Sequence, residues 1–128
     1  MANRTPSEMK LHETIIKTLQ SIYLNQKGAS SAVHNIDQKL AVVQGLSPDL
    51  MVKMGFMLYF KVETESTVTT GSAIEWKSFS EKLGTFYLVV PEPLKTEAIR
   101  IIKQLSIPKI VVVPYRIKEN KLVFGSLP

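Results

Sequence analysis

The chain has no cysteine, two histidines and one tryptophan among its 128 residues. Without cysteine there is no disulfide, no thiolate zinc site and no thiol nucleophile. That absence also fits a cytoplasmic protein. His12 and His34 are too few and too poorly placed for a histidine-based metal centre. No apolar run approaches the roughly 20 residues of a membrane-spanning helix. The opening MANRTPSEMK lacks the apolar core of a signal peptide. There is no low-complexity tract, internal repeat, glycine-rich phosphate loop or Ser–His–Asp set. The expectation is a cytoplasmic domain spanning 1–128 that makes no use of a membrane.

What is present suits a folded core and a basic surface. Apolar residues make up 45% and charged residues 21%, which suits a globular chain of this size. Sixteen Lys and Arg against eleven Asp and Glu give a net charge of +5. Such an excess suits a polyanion such as DNA, and is equally at home on a basic protein with no such partner.

The functional content concentrates in residues 47–65, SPDLMVKMGFMLYFKVETE. Two apolar segments flank Gly55, and the second, 56–65, is rich in aromatic and β-branched residues and predicts a strand. Strand side chains alternate, so Phe56, Leu58, Phe60 and Val62 share one face, and Met57, Tyr59, Lys61, Glu63 and Glu65 the other. A turn near Gly55 pairs this strand with 49–54 and brings Asp49 towards Glu63. Clustered carboxylates repel unless a cation or proton intervenes, and hard oxygen donors suit Mg²⁺ or Mn²⁺.

Around this stretch the spacing predicts three helices. The first covers 5–25, capped by Thr5 or Ser7, with Met9, Ile15, Ile16, Leu19, Ile22 and Tyr23 as its apolar stripe. Glu8 is either a solvated first-turn acid or a site acid, and Glu13 at the stripe's edge is the alternative. His12 reads as a core or boundary histidine. A strand is expected within 33–43, with 39–44 as its likeliest core region. The second helix covers 72–83, with Ser72 as cap, Glu75 in the capping-box position and Trp76, Phe79 and Leu83 inward. Lys77 flanks that inward face, as a site lysine or a solvated one. Residues 86–90 and 110–113 are nearly continuous apolar runs, expected as interior strands covered on both faces, the second ended by Pro114. A third helix at 94–105 separates them, and the tail 118–127 suits an edge strand. The order predicts an α/β fold with a mixed central β-sheet flanked by helices on both faces.

This order, together with Pro48-Asp49 and Glu63-x-Glu65, resembles the PD-(D/E)xK or restriction-endonuclease-like nucleases, in particular small archaeal and viral resolvase-like proteins. The resemblance covers residues 7–115. It implies a restriction-endonuclease-like fold and a metal-dependent DNA endonuclease that hydrolyses phosphodiester bonds. Asp49 and Glu63 would hold Mg²⁺ or Mn²⁺, and Glu8 would be the helix acid. The family pattern has lysine where this chain has Glu65, which would instead bind a second cation or orient water. Some members carry the lysine on the neighbouring helix, and Lys77 is then the candidate. Lys61 lies two residues before Glu63, against the family's order. The resemblance also allows a homodimer, and a nuclease-fold DNA-binding or assembly protein that does not cleave. A small α/β module with an unrelated partner is the remaining reading.

Overall fold

Thr5 opens the first helix through a reciprocal cap. Its hydroxyl accepts from the Glu8 amide, and Glu8 Oε1 accepts from the Thr5 amide, both at 3.2 Å. Pro6, whose fixed φ suits a first helical position, begins α1 (Pro6–Asn25). The stripe Ile15, Ile16, Leu19 and Tyr23 is fully buried, whereas Met9, expected in it, is exposed. The structure, a computed structural model, describes residues 4–35 and 45–128.

Three short strands follow as an antiparallel meander: β1 (Ser31–His34), β2 (Leu50–Lys53) and β3 (Met57–Val62). The strand expected at 33–43 is met only by the end of β1, and its anticipated core at 39–44 lies outside the described residues. Gly55 turns β2 into β3 at φ +85°, a backbone state that side chains disfavour. Phe56 falls in that turn and is exposed, not on the buried face with Leu58, Phe60 and Val62. The strand stops at Val62, because Glu65–Thr67 turns away as a short 3-10 helix.

The rest alternates helix and strand: α2 (Thr70–Leu83), β4 (Phe86–Pro91), α3 (Lys95–Gln104), β5 (Ile110–Lys118) and β6 (Lys121–Phe124). The cap of α2 is Thr69, in extended conformation, whose hydroxyl accepts from the Ser72 amide; Ser72 itself is inside the helix. β5 does not end at Pro114. It runs on to Lys118, where the Glu119-Asn120 turn, with positive φ at both residues, returns the chain as edge strand β6. Gly125 donates to the Pro114 carbonyl at 2.8 Å, and a Cβ on it would meet the Pro114 ring at 2.9 Å, so the hairpin closes over Pro114 only with glycine there.

The six strands among the described residues lie in sequence order in one sheet, β3, β4 and β5 parallel and the others antiparallel to their neighbours. Two clusters sandwich it. Ile15, Ile16, Leu19 and Tyr23 of α1 pack on Leu50, Val52, Leu58, Phe60, Val62 and Val89. Trp76 and Phe79 of α2 with Ala98 and Ile101 of α3 pack on Phe86, Leu88 and Val90. Alternate residues of β4 therefore enter opposite cores, which is why its sequence is apolar without a break. The fold is a mixed α/β sandwich with helices on both faces. β4 is interior and covered on both faces as expected, whereas β5 is interior in strand order but leaves Val111 exposed on one face. Among the described residues no helix is long and apolar enough to cross a membrane.

Candidate functional site

Pro48 has no amide hydrogen to offer a ladder, and β2 begins only at Leu50. Asp49 takes over where the strand gives out: its amide donates to the Phe60 carbonyl at 2.9 Å, and its Oδ2 accepts from the Val62 amide at 2.7 Å. The carboxylate thus continues the β2–β3 ladder in place of a main-chain carbonyl. The Leu50–Phe60 register, carried one residue further, sets Asp49 opposite Lys61 rather than Glu63. Lys61 Nζ lies 3.7 Å from Asp49 Oδ2 and 2.9 Å from Glu75 Oε1. His12 Nε2, from α1, lies 3.4 Å from the same Asp49 oxygen, and among the described residues this buried nitrogen has no hydrogen-bond partner.

Glu63, just beyond β3, is held by a different set. Trp76 Nε1 donates to Oε2 at 2.6 Å, and an Arg4 guanidinium nitrogen donates to Oε1 at 3.0 Å. Arg4 also donates to the Val62 carbonyl at 2.9 Å and to the Thr64 hydroxyl at 3.1 Å. The Glu63 backbone is anchored too, its amide donating to the Val89 carbonyl at 2.8 Å. Both carboxylate oxygens are therefore occupied, and the residue is 2% exposed.

Burial and pairing act on these groups in opposite directions. Burial would raise the Asp49 pKa, but Lys61, then His12 and the Val62 amide, outweigh it and hold the carboxyl below its usual range. Burial would depress Lys61, but Asp49, Glu63 and Glu75 keep its ammonium more firmly protonated than usual. For Glu63 burial prevails: its pKa is raised, with Lys61, Trp76 and Arg4 opposing and the Asp49 charge adding to the rise. Tyr115, whose hydroxyl faces the Glu63 carbonyl at 3.4 Å, is pushed up to about 12, chiefly by burial.

Of the residues singled out in the sequence, Asp49 and Glu63 lie at the same end of the sheet, and the Asp49 charge acts on Glu63, with Lys61 beside Asp49. Glu65 does not join them. The turn after Val62 breaks the two-residue alternation, and Glu65 is exposed. Lys77 is exposed on α2 and borders neither of the cavities at the cluster. Glu75 is not a capping residue but the acid that holds Lys61. Glu8 caps its own helix and accepts from the Ser66 amide at 2.9 Å and hydroxyl at 2.7 Å. Those bonds, the amide foremost, lower its pKa to about 2. Glu13, the alternative helix acid, borders the cavity over Asp49.

That cavity, of about 610 Å³, is lined by Arg4, Lys10, His12, Glu13, Asp49, Lys61 and Glu75 among others. A smaller one of about 250 Å³ touches Arg4, Lys61, Glu63, Ser72 and Glu75. Arg4, and Lys61 as partner of Asp49, escaped the sequence reading. For Lys61 a signal existed, since it shares a strand face with Glu63; for Arg4, which reaches across about 60 residues of chain, there was none.

As it stands the donor set does not suit a divalent cation. A metal on Glu63 would have to displace Arg4 or Trp76, and one on Asp49 would meet Lys61. Among the described residues no three His, Asp or Glu side chains are grouped to hold a metal ion. No family model, curated protein or solved structure matches the chain.

Proposed function

We propose that the protein is a nuclease-fold nucleic-acid-binding module that does not cleave. The observation that carries this reading is the internal neutralisation of the acids: Asp49 faces Lys61 and His12, and Glu63 is held by Arg4 and Trp76. Where the resemblance places metal ligands, the chain supplies its own cations. The resemblance also supports the choice of partner, since the order of helices and strands along the chain is the one on which it was based. The net charge of +5 agrees with a polyanion. Exposed lysines such as Lys10 at the cavity's rim would meet phosphates. Affinity would come mainly from counterion release and be largely independent of sequence.

A second reading, a Mg²⁺- or Mn²⁺-dependent DNA endonuclease, is favoured by one observation. Lys61 lies beside Asp49 at the open cavity, where it would serve as the lysine missing at position 65. In that reading Asp49 and Glu63 would hold the metal once their present partners moved aside. The metal would supply an activated water and stabilise charge on the phosphate.

Titration of duplex, branched and single-stranded DNA at low salt in EDTA tests the first reading. Binding is expected without metal, with log K falling linearly as log salt rises. No binding to any of the three would remove both nucleic-acid readings and leave a module with an unrelated partner.

A further inference from the structure

The ammonium of Lys61 is an unusual group to bury: its side chain is 13% exposed, and lysine is rarely so enclosed unless paired. Its surroundings explain it. Asp49 Oδ2 is 3.7 Å away and Glu75 Oε1 2.9 Å away, and the Glu63 carboxylate is near enough to act on its charge. Glu75 is half exposed, so it closes the cluster towards solvent, while Asp49 and Glu63 close it towards the sheet. Two carboxylates, Asp49 from a strand end and Glu75 from a helix, thus flank one cation, and that cation is covalently part of β3. Arg4 balances the charge of Glu63. With Lys61 and Arg4 counted against Asp49, Glu63 and Glu75, one negative charge remains, and His12 lies beside it at Asp49.

We propose that Lys61 is a built-in counter-ion that excludes divalent cations from this acid cluster. A tethered ammonium has a high local concentration that no dissolved ion matches. Its positive charge also repels a dication from the space beside these acids. This deepens the metal-free reading of the same site and rests on it, but is tested without nucleic acid, so failure of DNA binding leaves the test intact.

The experiment is Mn²⁺ binding, read by electron paramagnetic resonance of the free ion and by calorimetry, in the wild type, Lys61→Met and Lys61→Gln. Methionine keeps the length of the stem and removes the charge, leaving hard oxygen donors of the kind Mn²⁺ prefers. The expected result is no saturable Mn²⁺ binding by the wild type and a single bound ion in Lys61→Met. Adding Asp49→Asn should weaken that binding on the order of tenfold or more. If Lys61→Met is unfolded in EDTA, its refolding on addition of Mn²⁺ is the same positive result, and Lys61→Gln gives a more polar background for the titration. A wild type that binds one Mn²⁺ and loses it in Asp49→Asn overturns the proposal. So does the failure of both Lys61 variants to bind Mn²⁺ or be stabilised by it.

Discussion

Asp49 and Glu63 are two buried carboxylates at the same end of the sheet, yet they are held in different ways. Glu63 is locked: two donors, Trp76 and Arg4, take its two oxygens, and its backbone is tied to β4. Asp49 is shared: one of its oxygens serves the Val62 amide and lies near Lys61 and His12, beside an open cavity. The difference teaches that closeness of acids in space does not by itself make them one site. Glu63 acts as a pin between α2, the chain before α1 and the sheet, whereas Asp49 is the carboxylate that an incoming group can meet.

The sharpest way to break this contrast is to remove each acid in turn. Glu63→Ala strands a buried Trp76 N–H and leaves Arg4 with only the Val62 carbonyl and the Thr64 hydroxyl, and should cost about 3 kcal/mol by urea denaturation, the range for breaking a buried pair. Asp49→Ala leaves Lys61 with Glu75 and should cost less, about 1–2 kcal/mol, mostly for the unpaired Val62 amide. Equal losses would contradict the distinction between pin and open carboxylate.

Trp76→Phe isolates one bond of the pin. The ring volume is largely kept and the N–H donor to Glu63 is lost, so a cost of about 1–3 kcal/mol is expected. In Glu63→Gln, whose amide oxygen can still accept from Trp76, the same substitution should cost less. A double-mutant cycle with no coupling would show that Trp76 contributes by packing alone.

Acid titration separates the two carboxylates by sign. The Asp49 pKa is lowered in the fold, so its contribution is present above the ordinary 3.8 and lost as pH falls through the folded value. The Glu63 pKa is raised, so its protonated form is the one the fold favours, and the contribution is lost as pH rises from 4.5 through its folded value. Thermal unfolding against pH should therefore become less acid-sensitive in Asp49→Asn, and lose the opposite slope in Glu63→Gln. Glu8 behaves as Asp49 does. Its stabilisation is complete above 4.5 and lost between there and about 2, so Glu8→Gln should flatten that limb. An unchanged limb would mean that the Ser66 bonds do not persist in solution.

The smallest effects are expected at two positions singled out in the sequence. Glu65→Gln and Lys77→Ala, both exposed, should each shift stability by less than about 0.5 kcal/mol. A large loss at either would place it back among the residues that matter.

The parts legible in the sequence were those that do not depend on register. α1 was readable from its cap and stripe, and β4 from a run so apolar that only burial on both faces explains it. The similar run of β5 marked a strand inside the sheet, but it leaves Val111 exposed. The hairpin at Gly55 was legible from turn chemistry. What the sequence did not determine was which residue of β3 faces Asp49. Lys61, Glu63 and Glu65 lie two apart, and alternation alone assigns all three to one face. The turn at Met54–Phe56 settles it: Lys53 pairs with Met57, and counting back from there puts Lys61, not Glu63, at Asp49. Glu65 was misplaced because nothing in Glu63-Thr64-Glu65 signals that the strand ends before it. The caps failed similarly at α2, where Thr69 and Ser72 are equally good side chains and only the extended backbone of Thr69 decides.

The most direct test of the central claim is a cleavage assay on labelled duplex and branched DNA, with Mg²⁺ or Mn²⁺ against EDTA, using wild type and Asp49→Asn. Binding is expected in all conditions and product in none, because Lys61 and Arg4 already neutralise Asp49 and Glu63. Metal-dependent cleavage by the wild type that disappears in Asp49→Asn would contradict it, and would make the cluster an active centre whose cations step aside for the metal.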